Sequence, residues 1–161
     1  MGQEEVNRIK AFFSEMGINP VYLKHEAVIT SEDAAKTRGF ELKQGIKAIL
    51  FTNDNNKWVI ADIPADKKVD AKKVAEQLGW SKSKIRMATP EEVLQKTGCE
   101  PGAVPPFGHK ETLLILIDQG VYDNQENAFN IGLRTHSVKI KTEFMKRVFD
   151  RINAKEGLFS K

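Results

Sequence analysis

Lys47 is the first residue of this chain with a claim to chemistry, because it interrupts the apolar run Gly45-Ile46-Lys47-Ala48-Ile49-Leu50-Phe51. Burial penalises an ammonium group, so a lysine in such a run either snorkels to a sheet edge or reaches into a polar pocket where it can hold an anion. Periodicity alone leaves both readings open. The second candidate is the loop Gly102-Ala103-Val104-Pro105-Pro106-Phe107-Gly108, preceded by Pro101. Prolines stiffen the backbone and glycines let it approach a ligand closely. The loop is therefore either a rigid connector or a surface that recognises a small polar group through main-chain donors. Cys99 follows Gly98 with no base in view and reads as an ordinary semi-buried thiol rather than a nucleophile. His109, next to Gly108, is either a site residue or a packed one.

Other chemistries lack their residues. There is no Gly-x-Ser-x-Gly elbow, no phosphate-binding loop and no dinucleotide glycine pattern. The histidines His25, His109 and His136 are scattered singly and Cys99 is the lone cysteine, so neither a zinc site nor an internal disulfide is expected. The reading therefore carries no metal and no cofactor. No apolar run approaches a membrane span and the N-terminus is charged, which leads to the expectation of a soluble, cytoplasmic protein without a membrane partner.

The elements that must position these residues follow from pattern. A length of 161 residues, 40% of them hydrophobic, suits one domain over 1–161. Val6, Ile9, Phe13 and Met16 fall on one helical face that stops at Gly17, and Val21 to Leu23 reads as a strand. Thr30 with Asp33 predicts a capped helix running toward Gly39, which leaves His25 to Ser31 in a loop. Ile46–Thr52 and Lys57–Asp62 form a hairpin around Asn53-Asp54-Asn55-Asn56. Helices are predicted over Asp70–Leu78 and from Thr89-Pro90-Glu91-Glu92 to Gly98, with a strand over Ile85–Ala88 between them. Strands at Leu113–Ile117, Ala128–Ile131 and Ser137–Ile140 precede a last helix capped by Thr142, with Phe144, Val148 and Ile152 on one face. This order gives an α+β (mixed α/β) fold with one mixed sheet of about six or seven strands.

The formal net charge of +3 hides a partition: residues 1–66 carry −2, 67–86 carry +5, 87–132 carry −5 and 133–161 carry +5. Two basic segments around an acidic one are either solvated helix faces or, if the fold unites them, a surface for phosphates.

Taken together, these blocks resemble the YbaK/ProX superfamily of aminoacyl-tRNA editing domains. The match is carried by His25–Gly39 (HEAVITSEDAAKTRG), Gly45–Phe51 (GIKAILF), Gly102–Gly108 (GAVPPFG) and Phe129–Arg134 (FNIGLR) followed by the strand Ser137–Ile140, in order and across most of the chain. The resemblance implies a mixed sheet closing toward a barrel, flanked by helices, with a pocket for the terminal adenosine of tRNA and its amino acid. It implies a trans-editing deacylase that hydrolyses the ester of mischarged tRNA, chiefly tRNA for proline bearing Ala, Ser, Thr or Cys. Lys47 aligns with the family's essential lysine. By the same alignment His25, Thr30, the loop residues Gly102, Ala103, Val104, Pro105, Pro106, Phe107 and Gly108, and Asn130 with Gly132 are the expected substrate contacts. The implied partners are the acceptor end of an aminoacyl-tRNA and either prolyl-tRNA synthetase or an elongation factor. Three positions depart from the pattern. Ala48 stands where alanine-specific members carry Asn and cysteine-specific ones Thr, Pro105 replaces a Ser, and Asn130 replaces Ser or His. Pro105 and Asn130 keep open a second reading, a non-catalytic module that binds tRNA or a synthetase.

Overall fold

The computed structural model of the chain describes residues 2–27, 36, 41–53 and 55–161. Apart from Lys36, which is helical, the predicted helix from Thr30 toward Gly39 lies outside these residues. Among them, the elements run α1 (Gln3–Glu15), β1 (Val21–Lys24), a 3-10 turn (Leu42–Gln44), β2 (Ile46–Thr52), β3 (Trp58–Pro64), α2 (Ala71–Leu78), β4 (Arg86–Met87) and α3 (Pro90–Thr97). They continue with β5 (Leu114–Asp118), a second 3-10 turn (Gln119–Asp123), β6 (Glu126–Asn130), β7 (His136–Lys141), α4 (Thr142–Arg151) and β8 (Lys155–Gly157).

The local signals explain most of the boundaries. Asp70 caps α2 by accepting from the amides of Lys72 and Lys73. At α3, Thr89 and Glu92 exchange the reciprocal bonds of a capping box with Pro90 just inside the helix. Thr142 departs from expectation. It is already helical, and its hydroxyl donates to the Asn124 carbonyl and accepts from Asn127 Nδ2, which ties α4 to the turn before β6. The buried face of α4 is Met145, Val148 and Phe149, one step round from the predicted stripe. Strand β8 is a further difference: it is short and charged, and its place comes from parallel pairing with β5. Asp118 fixes the tail beyond it, accepting from the amide of Phe159 at 2.7 Å and the hydroxyl of Ser160 at 3.2 Å.

The strands form two sheets in place of the single one expected. One is antiparallel, in the order β1-β7-β6, and the other is mixed, in the order β4-β2-β3-β5-β8. A single parallel bridge, Gly45 to Ala128, joins β2 to β6 among the described residues. The sheet therefore turns toward a barrel without closing. Inside the curve lies the main core, where Ile46, Leu50, Ile60, Ile115 and Ile117 meet Phe129, Val138 and Ile140, sealed by α1 and α4. A smaller core on the outer face packs Phe51, Val59, Ala61, Ile63 and Leu116 beneath Val74 of α2.

Candidate functional site: a cleft where two sheets part

The alternation of side chains along β2 settles where Lys47 can go. Ile46 and Leu50 enter the main core while Phe51 enters the smaller one, so Lys47 shares the outer face with Ile49 and Phe51. Its ammonium is half-buried. Burial lowers its pKa, the carboxylate of Asp66 opposes that shift and the ammonium of Lys68 adds to it.

Gly45 and Ala128 hold β2 and β6 side by side at one point. At its far end β2 turns to β4, with the amide of Ala88 donating to the carbonyl of Leu50 at 2.8 Å. Between these ties no described strand pairs with that edge of β2. Counting two residues on from each partner of the bridge, and so staying on one face of the pleat, gives Lys47 on β2 and Asn130 on β6. They are the first residues of that face beyond the bridge, one on each wall of the cleft.

The second wall is built by hydrogen bonds. Asn130 pairs across the ladder with Ser137, and its Nδ2 donates to the carbonyls of Leu133 (3.2 Å) and His136 (3.3 Å), closing the β6–β7 turn. Nε2 of His25 lies 2.8 Å from the Ser137 hydroxyl, while Nδ1 meets the carbonyl of Glu26 at 2.8 Å. A carbonyl only accepts, so Nδ1 donates to Glu26, and Nε2 is the nitrogen that meets the Ser137 hydroxyl. His25 and Asn130 are thereby joined through Ser137, a link that spacing in the sequence does not reveal.

The Gly102–Gly108 loop is pinned to this wall. Gly132 donates its amide to the carbonyl of Ala103 at 2.8 Å and accepts from the amide of Glu100 at 3.0 Å. Arg134 donates from Nε and from an Nη to the carbonyl of Pro101, at 3.0 and 2.7 Å. The ring of Phe107 is fully buried among those of Phe12, Phe13, Phe129 and Phe149, with centroids 5.3 to 6.1 Å away. Phe107 is therefore the loop's anchor, and only its backbone is left to meet a ligand. Gly108 has φ +74°, a conformation that residues with a side chain rarely adopt, and a Cβ there would lie 2.6 Å from Cδ1 of Ile9, which would have to shift. His109 donates from Nε2 to the carbonyl of Pro105 at 2.7 Å, and burial drives its pKa down to about 4, which keeps it neutral near pH 7. The amides of Gly102, Val104, Phe107 and Gly108 donate to no described residue. They are the main-chain donors that the loop can offer.

The remaining candidates separate from this cluster. Thr30 lies outside the described residues. Cys99 is buried against Thr97 with its thiol pushed up to about 11, which makes it unreactive at neutral pH. Among the described residues no group of His, Cys, Asp and Glu is arranged to hold a metal ion, and no helix is long and apolar enough to cross a membrane. One group went unremarked in the sequence although its signal, an acid inside Val59-Ile60-Ala61-Asp62-Ile63, was visible. Asp62 is fully buried opposite Ala48, on the face away from Lys47, and neither carboxyl oxygen has a hydrogen-bond partner among the described residues. Burial raises its pKa well above the usual carboxylate range.

Residues 25–148 match the model of the aminoacyl-tRNA editing domain family. The multifunctional Ser/Thr-tRNA deacylase ProXp-y of Escherichia coli (strain K12) is 34% identical over 145 residues, covering 88% of this chain and 86% of that protein. A proline–tRNA ligase of Trichlorobacter lovleyi is 32% identical over 92 residues, 57% of this chain and 16% of the ligase. Among solved structures, one described as a proposed trans-editing enzyme for prolyl-tRNA synthetase superposes with a TM-score of 0.83 at 22% identity, covering 98% of this chain and 97% of that one.

Proposed function

Because the chain belongs to the aminoacyl-tRNA editing domain family, we propose that it is a trans-editing deacylase that cleaves the ester of mischarged tRNA, with seryl and threonyl esters on tRNA for proline as its first substrates. The deacylase activity of the E. coli relative, similar along nearly its whole length, supports the reaction class and that choice of amino acids. The observation that carries the reading is the placement of Lys47 and Asn130 at matched positions beyond the Gly45–Ala128 bridge, with the Gly102–Gly108 loop pinned to the Asn130 wall.

On this reading Lys47 binds the anionic 3′ end of the tRNA and brings the ester into the cleft. The amides of Val104, Phe107 and Gly108 face the ester carbonyl, where charge develops. A water molecule adds to that carbonyl carbon, the ribose oxygen leaves and takes up the proton that the water gives up, and free amino acid and tRNA result. An aminoacyl ester is already activated, so positioning and oxyanion stabilisation supply most of what the step needs. Rejection of the cognate amino acid follows from the size of the cleft, the second sieve of editing.

We take residues 1–161 as one deacylase domain, since α1 and the tail residue Phe159, both outside the matched 25–148, pack into the same two cores. The similarity to a segment of a proline–tRNA ligase makes prolyl-tRNA synthetase the first partner to examine, ahead of an elongation factor. The test is a deacylation panel on tRNA for proline charged with alanine, serine, threonine and cysteine. Hydrolysis of the seryl and threonyl esters that disappears in Lys47→Ala supports the reading. Tight tRNA binding without turnover would select a non-catalytic module instead, the reading to which Pro105, with no amide to donate, lends itself.

A further inference from the structure

The regional charge count makes residues 1–66 net negative, yet the fold draws cations out of that segment into one patch. Lys10 leaves α1 so that its Nζ lies 5.2 Å from the centroid of the Tyr22 ring, which is 39% exposed on β1. Lys24 follows two residues along β1, on the same face as Tyr22, and pairs across the ladder with His136. The ammonium groups of Lys24 and Lys10, with the ring of His25, add to partial burial in holding His136 below its ordinary pKa, and Glu100 is the one acid that opposes them. Neither Lys10 nor Lys24 has a carboxylate within ion-pair distance among the described residues. Elsewhere Arg8, Lys82, Lys96 and Arg151 each have one and Lys146 has two.

Position adds meaning to the charge. Lys24 directly precedes His25, which is fastened to the cleft wall through its amide to the Thr135 carbonyl and through Nε2 to Ser137. The patch therefore lies on the edge strand of the β1-β7-β6 sheet, on the face opposite Ser137 and Asn130, and meets the cleft wall around that edge, at His25. Ammonium groups without acidic partners, beside an exposed aromatic face, are the combination that holds a sugar-phosphate chain: cations meet phosphates and the ring stacks on a base or ribose.

We propose that Lys10, Tyr22 and Lys24 form the surface that holds the backbone of the tRNA acceptor arm as it leaves the cleft. This inference rests on the deacylase reading above, since it is the tRNA end in the cleft that carries the following phosphates past β1. An acidic protein would also be drawn to the lysines, but nothing in it uses the position beside a cleft for an RNA terminus.

The test compares wild type with Lys10→Glu/Lys24→Glu and with Lys10→Arg/Lys24→Arg, on aminoacyl-tRNA and on the corresponding 2′(3′)-aminoacyl adenosine, which lacks the downstream phosphates. The expected result for the glutamate pair is a KM for aminoacyl-tRNA raised about tenfold or more, with kcat and adenosine-ester hydrolysis unchanged. The slope of log KM against log salt should fall by about one per lysine lost. The arginine pair should keep wild-type KM, and Tyr22→Ala should raise it where Tyr22→Phe does not. An unchanged KM for aminoacyl-tRNA overturns the proposal and leaves the deacylase reading standing. So does an equal loss on the adenosine ester, which would mean damage to the cleft. If wild type cleaves neither ester, the deacylase reading fails. The affinity of the same variants for uncharged tRNA then decides the patch: it stands if the glutamate pair binds at least tenfold more weakly, and falls if binding is unchanged or if only an acidic protein partner is lost.

Discussion

Gly132 gives its amide to the carbonyl of Ala103 at 2.8 Å while its α-carbon faces Glu5, so the β6–β7 turn, the Gly102–Gly108 loop and α1 converge on a residue with no side chain. Its φ is +117°, and a Cβ would lie 2.7 Å from Cβ of Glu5 and 3.0 Å from the carbonyl of Gly2. Gly132→Ala must therefore strain the backbone and push α1 away. The expected cost is about 1–3 kcal/mol in urea unfolding, together with a fall in deacylation that exceeds any change in tRNA affinity. Unaltered stability in the alanine variant would show that this junction is looser than its distances imply.

Lys47 is half-buried, and burial disfavours its charge. Removing the ammonium relieves a desolvation cost, so Lys47→Gln should match or exceed wild-type stability while deacylation falls by about two orders of magnitude. Thermal melting read beside initial rates separates these effects. Activity retained in Lys47→Gln removes the lysine from the reaction.

Asp62 makes stability depend on pH with a definite sign. Its folded pKa lies above the unfolded value near 4, so the folded state binds more protons than the unfolded one as pH rises past 4. Stability must then fall with rising pH through that window. Asp62→Asn cannot ionise and escapes the loss. Its stability relative to wild type should grow as pH rises above 4 in denaturant titrations, by up to about 1.4 kcal/mol for each pH unit. A difference independent of pH would mean that Asp62 ionises as freely in the fold as outside it.

His109 acts in the opposite direction. Its pKa of about 4 lies below the unfolded value near 6.5, so between those values the unfolded state binds more protons and acid destabilises the fold. The stability it contributes is complete above pH 6.5 and is lost toward pH 4. His109→Gln keeps a donor for the Pro105 carbonyl and cannot titrate. It should show a shallower acid limb than wild type, with the loop bond intact and activity near pH 7 within a fewfold of normal. An acid limb identical to wild type would assign the loss to other groups.

Much of this arrangement was legible because it is local. Thr89 and Glu92 announce α3, Asp70 announces α2, and the Asn53–Asn56 turn announces the β2–β3 hairpin; each is a bond between near neighbours. Thr142 shows the limit, since Asn124 and Asn127 compete for its hydroxyl from across the chain and the cap expected of it does not form. Strand β8 could not be read from Lys155-Glu156-Gly157, because its pairing depends on β5 and on the hold of Asp118 on the tail. Of the site, Lys47 and the loop were visible as anomalies of pattern. The His25–Ser137 contact spans 112 positions and belongs to tertiary structure. The Lys10–Tyr22–Lys24 patch was hidden by a regional sum that counted acids placed elsewhere.

The meeting of the two sheets at Gly45 and Ala128 bears on how such a cleft changes over evolutionary time. The register of β2 is set by its seven-residue pairing with β3, and that of β6 by five pairs with β7. Neither alignment borrows from the other. A substitution that reshapes one wall leaves the opposite wall in step, so acyl preference can drift by single replacements on either wall without renegotiating the fold, as a lock is rekeyed one pin at a time.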